Sequence, residues 1–284
     1  MKKLALCISV YLITALSFKS VEAGEPLPAM PTENTVEQYI ANLYRQIDFS
    51  AGETLNYDVF AKAYHGYMNL YNDGKLNLQK QVLTICDMTQ SSTKDRMWVI
   101  DLANKKVLFN TYVAHGQGSG EEFATSFSNA MNSHKSSLGF YVTGEIYDGE
   151  HGASLRLYGM DNGFNSAAYE RSVVVHGADY VCGKFIENNQ KLGRSWGCPA
   201  VPSKLSNPII NAIKDGSCLF IYYPEKKYLA SAYWLNKKVT QLPGSKNALM
   251  FQDAAFASVR KDTLIEYVSS TGKIDSVRQV NHSF

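Results

Sequence analysis

Apolar positions recur at helical spacing near the start of this chain and change to short runs and alternation after residue 78. From Thr35 to Phe49, the residues Val36, Tyr39, Ile40, Leu43, Tyr44 and Ile47 fall three or four apart, which predicts an amphipathic helix with Thr32 or Asn34 as its cap. A second helix is predicted from Leu55 to Leu70, with Leu55, Val59, Phe60, Ala63, Tyr67 and Leu70 on one face. Asn72-Asp73-Gly74 ends it. His65 falls on its polar side and is given no chemical role. Strands are predicted at 82–86, 96–101, 106–113, 140–146, 154–158, 172–175 and 218–223, with Asp101–Lys105 as a hairpin turn. Ser203 to Lys214 reads as a helix interrupted or restarted at Pro208. Two further strands are expected at 263–268 and 273–277. The pattern predicts an α+β protein: a mainly β domain with an N-terminal helical hairpin and a small C-terminal extension.

The first 23 residues stand apart. Lys2 and Lys3 precede an apolar run from Leu4 to Phe18, and Val21-Glu22-Ala23 supplies small residues for cleavage. That is the layout of a secretory signal, and the run is too short for a comfortable membrane span. Cys7 falls too early for a lipoprotein cysteine. The expected division is 1–23 signal peptide, 24–77 helical region, 78–225 central domain and 226–284 extension. An exported chain, in the periplasm or cell envelope, with no stable membrane span after cleavage follows. The full chain carries 28 basic and 26 acidic residues. The leader holds Lys2, Lys3, Lys19 and Glu22, so the remainder is neutral, and nothing favours nucleic acid as a partner. The sequence leaves the oligomeric state open. The 18 tyrosines suit a carbohydrate-contacting surface and core packing equally.

The chemistry concentrates in one stretch. Ser172–Val175 reads as a buried strand that ends at His176-Gly177. A loop later comes Ser195-Trp196-Gly197-Cys198-Pro199-Ala200. A thiol in a Gly/Pro turn with a histidine upstream matches a cysteine nucleophile and its base. The thiolate attacks, the imidazole carries the proton, and backbone N–H groups at Gly197 and Cys198 are candidates to face an oxyanion. Ser195 either bonds the thiol or substrate, or closes the turn. Arg194 is a candidate partner for a substrate carboxylate or a solvated loop charge. Trp196, His115, His151 and Tyr141 are candidate substrate-binding residues. For the two histidines the alternative is an exposed hydrogen-bonding role, and for Tyr141 it is packing. His115–Gly120 is Gly-rich, but no Gly-Lys-Ser/Thr follows, which argues against a phosphate loop. There is no His-Glu-x-x-His or paired Cys-x-x-Cys, so no metal site is assigned. Cys86, Cys182 and Cys218 are open to disulfide pairing, and Cys198 itself would be a partner if it were not the nucleophile.

These residues carry a resemblance. His176-Gly177-Ala178 and Gly193-Arg194-Ser195-Trp196-Gly197-Cys198-Pro199-Ala200 resemble the L,D-transpeptidase catalytic domain family (YkuD-like fold), in the branch reading His-Gly-Ala and then Gly-Arg-Ser-x-Gly-Cys-Pro-Ala. The frame fits from about Trp98 to Tyr223. Ser136–Tyr141 is similar to the family's Thr-Pro-x-Gly-x-Tyr segment, without its proline. The resemblance implies Cys198 as nucleophile and His176 as acid/base, with the Gly177 carbonyl orienting the imidazole. It implies peptidoglycan stem peptides as the partner and substrate. A Cys198 thioester forms with loss of terminal D-alanine and is resolved by an amine, and no cofactor is needed. Two rival readings are an L,D-carboxypeptidase or wall-peptide hydrolase on the same site, and an inactive peptidoglycan-binding module.

Overall fold

The computed structural model describes residues 32–243. The proposed leader and the strands expected at 263–268 and 273–277 lie outside the described residues. Two helices come first, α1 (Glu33–Gln46) and α2 (Tyr57–Asn72). Thr32 caps α1 by accepting the Thr35 N–H, and Asn56 caps α2 by accepting those of Asp58 and Val59. The α2 terminus closes as a Schellman motif. Lys75 N–H bonds the Leu70 carbonyl, and Gly74, at φ +65°, bonds that of Tyr71. α1 starts two residues before its predicted bound and α2 two residues after, because the side-chain caps are Thr32, ahead of the first apolar position, and Asn56, just inside the repeat.

Eight strands follow in one mixed sheet: β1 (Val82–Asp87), β2 (Met97–Asp101), β3 (Lys106–Thr111), β4 (Gly139–Gly149), β5 (Gly152–Gly159), β6 (Val174–Ala178), β7 (Ala200–Pro202) and β8 (Cys218–Tyr222). Their order is β3-β2-β1-β8-β4-β5-β6-β7. Only β1–β8 and β6–β7 are parallel. The chain beyond β3 reaches the far end of the sheet, where Ala114 pairs with Ala200, so the first and last strands are joined and the sheet is nearly a barrel. The observed architecture is the α+β arrangement expected.

Three helices lie among or after the strands: α3 (Gly183–Asn189), α4 (Ser203–Ile213) and α5 (Lys226–Ser231), followed by the short α6 (Tyr233–Asn236). The last two, with α3 and β7, had no clear apolar period. Pro208 neither interrupts nor restarts α4, which runs through it. The missing N–H would have met the Lys204 carbonyl, and both residues lie on the exposed face, where water takes that acceptor. His65 is structural: its Nε2 pairs with the Lys237 carbonyl at 2.9 Å, beside Asn69, which donates to the Trp234 and Lys237 carbonyls. So the start of the C-terminal extension is fastened to α2.

The core lies between the helices and the β1–β8–β4 centre of the sheet. Phe140 and Phe220 are fully buried and stack with ring centres 4.1 Å apart. Gly66 of α2 faces them, and a methyl group there would overlap the Phe140 ring. An alanine inside a helix normally stabilises it by about 1 kcal/mol over glycine. Here Gly66→Ala is predicted to destabilise the protein by about 1–3 kcal/mol through overpacking, read from urea unfolding midpoints. Equal or higher stability would show that α2 does not sit against Phe140.

Candidate active site

His176 lies in the middle of β6 and is buried. Parallel pairing sets it opposite Ala200 of β7, with Gly177 opposite Val201. Cys198 stands two residues before Ala200, and the Val174 N–H reaches its Sγ at 3.5 Å, continuing the same register backwards. Val174 and His176 share one face of the strand. The thiol therefore lies beside β6 at Val174, two residues along the strand from His176. Their immediate hydrogen bonds are with other groups. The thiol also points to the Ser172 carbonyl at 3.6 Å, and His176 Nδ1 pairs with the Gly177 carbonyl at 2.9 Å. That second bond makes Nδ1 the protonated nitrogen of a neutral ring and leaves Nε2 as the acceptor.

Electrostatics keep the pair uncharged. Burial lowers the His176 pKa, opposed by the Gly177 carbonyl, while the His151 ring lowers it further. Burial raises the Cys198 thiol, opposed by the Val174 N–H, the Arg171 guanidinium and its own backbone N–H. His151 is exposed and stacks on His176 with ring centres 4.4 Å apart. Trp196 is 73% exposed and stacks on His134 at 4.9 Å, on the outer side of the cysteine turn.

Other predicted residues do different work. Ser195 closes the turn: its Oγ donates to the Cys198 carbonyl at 2.7 Å and accepts the Gly197 N–H at 3.0 Å. The Gly197 amide is thereby engaged, and the Cys198 N–H is the one left beside the thiol. Gly197 is needed for its φ of +128° and because a Cβ would lie 2.8 Å from the Lys135 carbonyl. Arg194 does not face a substrate. Its Nη1 bonds the Gly120 carbonyl at 3.0 Å and Glu121 at 2.5 Å, fastening a loop. Tyr141 is fully buried and donates to the Ser137 carbonyl. His115 is fully buried, too, with Nδ1 taking a bond from Arg96 Nη2 at 2.7 Å and Nε2 meeting the Gly120 carbonyl at 3.3 Å. Neither reaches a cleft; exposure is not readable from residue type. Sequence reading missed Arg171, whose spacing from the His-Gly pair has no motif. All four described cysteines are free: Cys86 and Cys218 are buried, and Cys182 and Cys198 are half-buried. Among the described residues no three His, Cys, Asp or Glu side chains group to hold a metal.

Residues 51–222, more than half of the chain, match the family described as the L,D-transpeptidase catalytic domain. The chain belongs to this family. That frame contains every residue of the site just described. No curated protein matches it in sequence. Among solved structures, it is similar to an L,D-transpeptidase from Mycobacterium smegmatis at 12% identity and a TM-score of 0.31, covering 50% of this chain and 59% of that one. L,D-transpeptidase 3 from Mycobacterium tuberculosis gives 10% identity, a TM-score of 0.33 and coverage of 50% and 61%. An L,D-transpeptidase from Xylanimonas cellulosilytica gives 12%, 0.29, and 69% and 99%. The chain thus spans about three fifths of the length of the two mycobacterial relatives.

His115 is buried between Arg96 and the Gly120 carbonyl. Burial and the Arg96 charge depress His115 to about 4. The unfolded chain binds that proton near pH 6.5, so native stability is full above that pH and falls as pH drops towards 4, by at most about 3 kcal/mol. Asp161 works in the opposite sense, since burial raises it to about 6. The comparison is therefore between wild type and His115→Gln. The variant is predicted to lose less stability than wild type between pH 7 and 4.5 in urea titrations, and parallel losses would contradict a buried neutral His115.

Proposed function

We propose that this protein is an exported cysteine acyltransferase acting on peptidoglycan stem peptides, with Cys198 as nucleophile and His176 as acid/base. The observation that supports it most is that the Cys198 thiol meets β6 at Val174, two residues from His176, inside a frame matched by the L,D-transpeptidase family. Cys198 Sγ attacks the carbonyl of the third stem residue as its proton passes to His176. The Cys198 N–H faces the developing oxyanion. Collapse returns the proton to the departing D-alanine and leaves a thioester. His176 then takes a proton from an amine of a neighbouring stem as that nitrogen bonds the acyl carbon, the carbon–sulfur bond breaks, and the proton returns to the Cys198 sulfur. Ser195 positions the turn and is not assigned a proton. His151 and Trp196 flank the substrate.

The reading assigns residues 1–23 as a leader that directs the protein to the periplasm or cell envelope. Residues 78–225 are the catalytic domain, with 24–77 and 226–284 as flanking regions. No helix among the described residues is long and apolar enough to cross a membrane.

The test is product analysis of mature protein incubated with disaccharide-tetrapeptides. Cross-linked dimers with released D-alanine are expected. Tripeptide alone would make the enzyme a carboxypeptidase, and binding without turnover in reduced protein would make it a wall-binding module. Cys198→Ala is predicted to abolish product. His176→Gln is predicted to lower turnover by about 10²- to 10⁴-fold, the usual contribution of a general acid–base group.

A further inference from the structure

Arg171 sits five residues before His176, at the start of the segment that cradles the thiol. Its guanidinium holds the far wall of the site together. Nη1 donates to the Ser128 carbonyl at 2.8 Å and to Ser137 Oγ; Nη2 donates to the Lys135 carbonyl at 2.7 Å and to Ser133 Oγ at 3.3 Å. Nη2 and that same Lys135 carbonyl press on Gly197, where a Cβ would lie 3.2 Å from the nitrogen. No carboxylate is paired with it among the described residues' ion pairs. Ser172, the next residue, has φ +55°, and its carbonyl meets the thiol. An unpaired guanidinium thus stands behind the cysteine turn, in electrostatic reach of Cys198.

We propose that Arg171 is the positive charge that stabilises the Cys198 thiolate, and that it positions the Lys135–Gly197 contact behind the turn. In this arrangement the enzyme does not rest as a thiolate–imidazolium pair. His176 waits as a neutral ring and takes the thiol proton in the attack step, and the charge that develops on sulfur as the proton leaves faces Arg171 and the Val174 N–H before it passes to the carbonyl oxygen. The other groups around the pair fit this. Tyr180 is raised to about 12 by burial and by the thiolate, so it stays a neutral phenol. Lys135 turns its ammonium away to Ser126 Oγ at 2.7 Å. His151 lies on His176 rather than on the thiol. A guanidinium whose Nη groups meet only carbonyls and hydroxyls has no carboxylate to neutralise its charge toward the sulfur.

The inference rests on Cys198 as the nucleophile, and its test needs no substrate. Alkylation of Cys198 by iodoacetamide is followed against pH by peptide mass spectrometry in a Cys182→Ser background. Arg171→Gln is expected to move the midpoint of the rate profile up by about one pH unit, and Arg171→Lys to restore most of it. His176→Asn is expected to leave the midpoint in place. An unmoved midpoint in folded Arg171→Gln protein would overturn the proposal. Where circular dichroism shows that Arg171→Gln is unfolded, the His176→Asn profile decides: an unchanged midpoint supports Arg171, and an upward move of a unit or more assigns the charge to the imidazole instead. Failure here leaves the acyltransferase reading standing, because product analysis tests that separately.

Discussion

The parallel pairing of β6 with the three-residue β7 is the contact on which the site depends. It sets His176 against Ala200 and leaves Cys198 two residues upstream, where its thiol accepts the Val174 N–H. A slip of one residue in that register would turn the cysteine to the opposite face. So short a strand cannot hold register alone. It is braced by the Ala114–Ala200 bridge on its free side and by α4, which starts at the next residue and packs back on β6. Closure of the sheet and placement of the Cys198 thiol are therefore linked through β7.

Around that register the turn is built from small polar residues rather than from apolar packing. Ser195 ties both the Gly197 amide and the Cys198 carbonyl. Ser136 donates to the Gly197 carbonyl at 3.3 Å and accepts the Gly116 N–H at 3.0 Å. A methyl group at Gly116 would overlap the His134 carbonyl oxygen and lie 2.9 Å from the Gly197 Cα, so at this position the loop lies flat against both the 134 segment and the cysteine turn. The Gly197 amide is thus bonded within the turn, and the backbone N–H groups that reach the thiol are those of Val174 and Cys198. This is why the fixed charge of Arg171, and the oxygen-free face of His176 beneath His151, acquire weight in the chemistry.

Much of this was legible in the sequence. The apolar period located α1 and α2, and β-branched runs located the central strands, because burial on one face leaves a period that residue type preserves. The cysteine and histidine were legible because nucleophilic chemistry restricts the residue types it can use. The substrate-facing set was less so. His115, Tyr141 and Arg194 have side chains that could serve substrate or scaffold, and the choice is made by long-range neighbours: Arg96 for His115, the β4–β8 core for Tyr141, Glu121 for Arg194. Arg171 was invisible for the converse reason. Its partners are backbone carbonyls and serines 34 to 43 residues away, and carbonyls leave no trace in side-chain pattern.

The central claim is that the Cys198 sulfur becomes covalently acylated. The most direct measurement is intact-protein mass spectrometry of the protein without its leader, quenched in acid within seconds of mixing with a disaccharide-tetrapeptide whose side-chain amine is blocked, so that no acceptor is present. The account predicts a mass increase equal to the disaccharide-tripeptide acyl group, mapped to the Cys198 peptide and removed by hydroxylamine. An adduct on another residue, or product formed with Cys198 left unmodified at every time point, would contradict it.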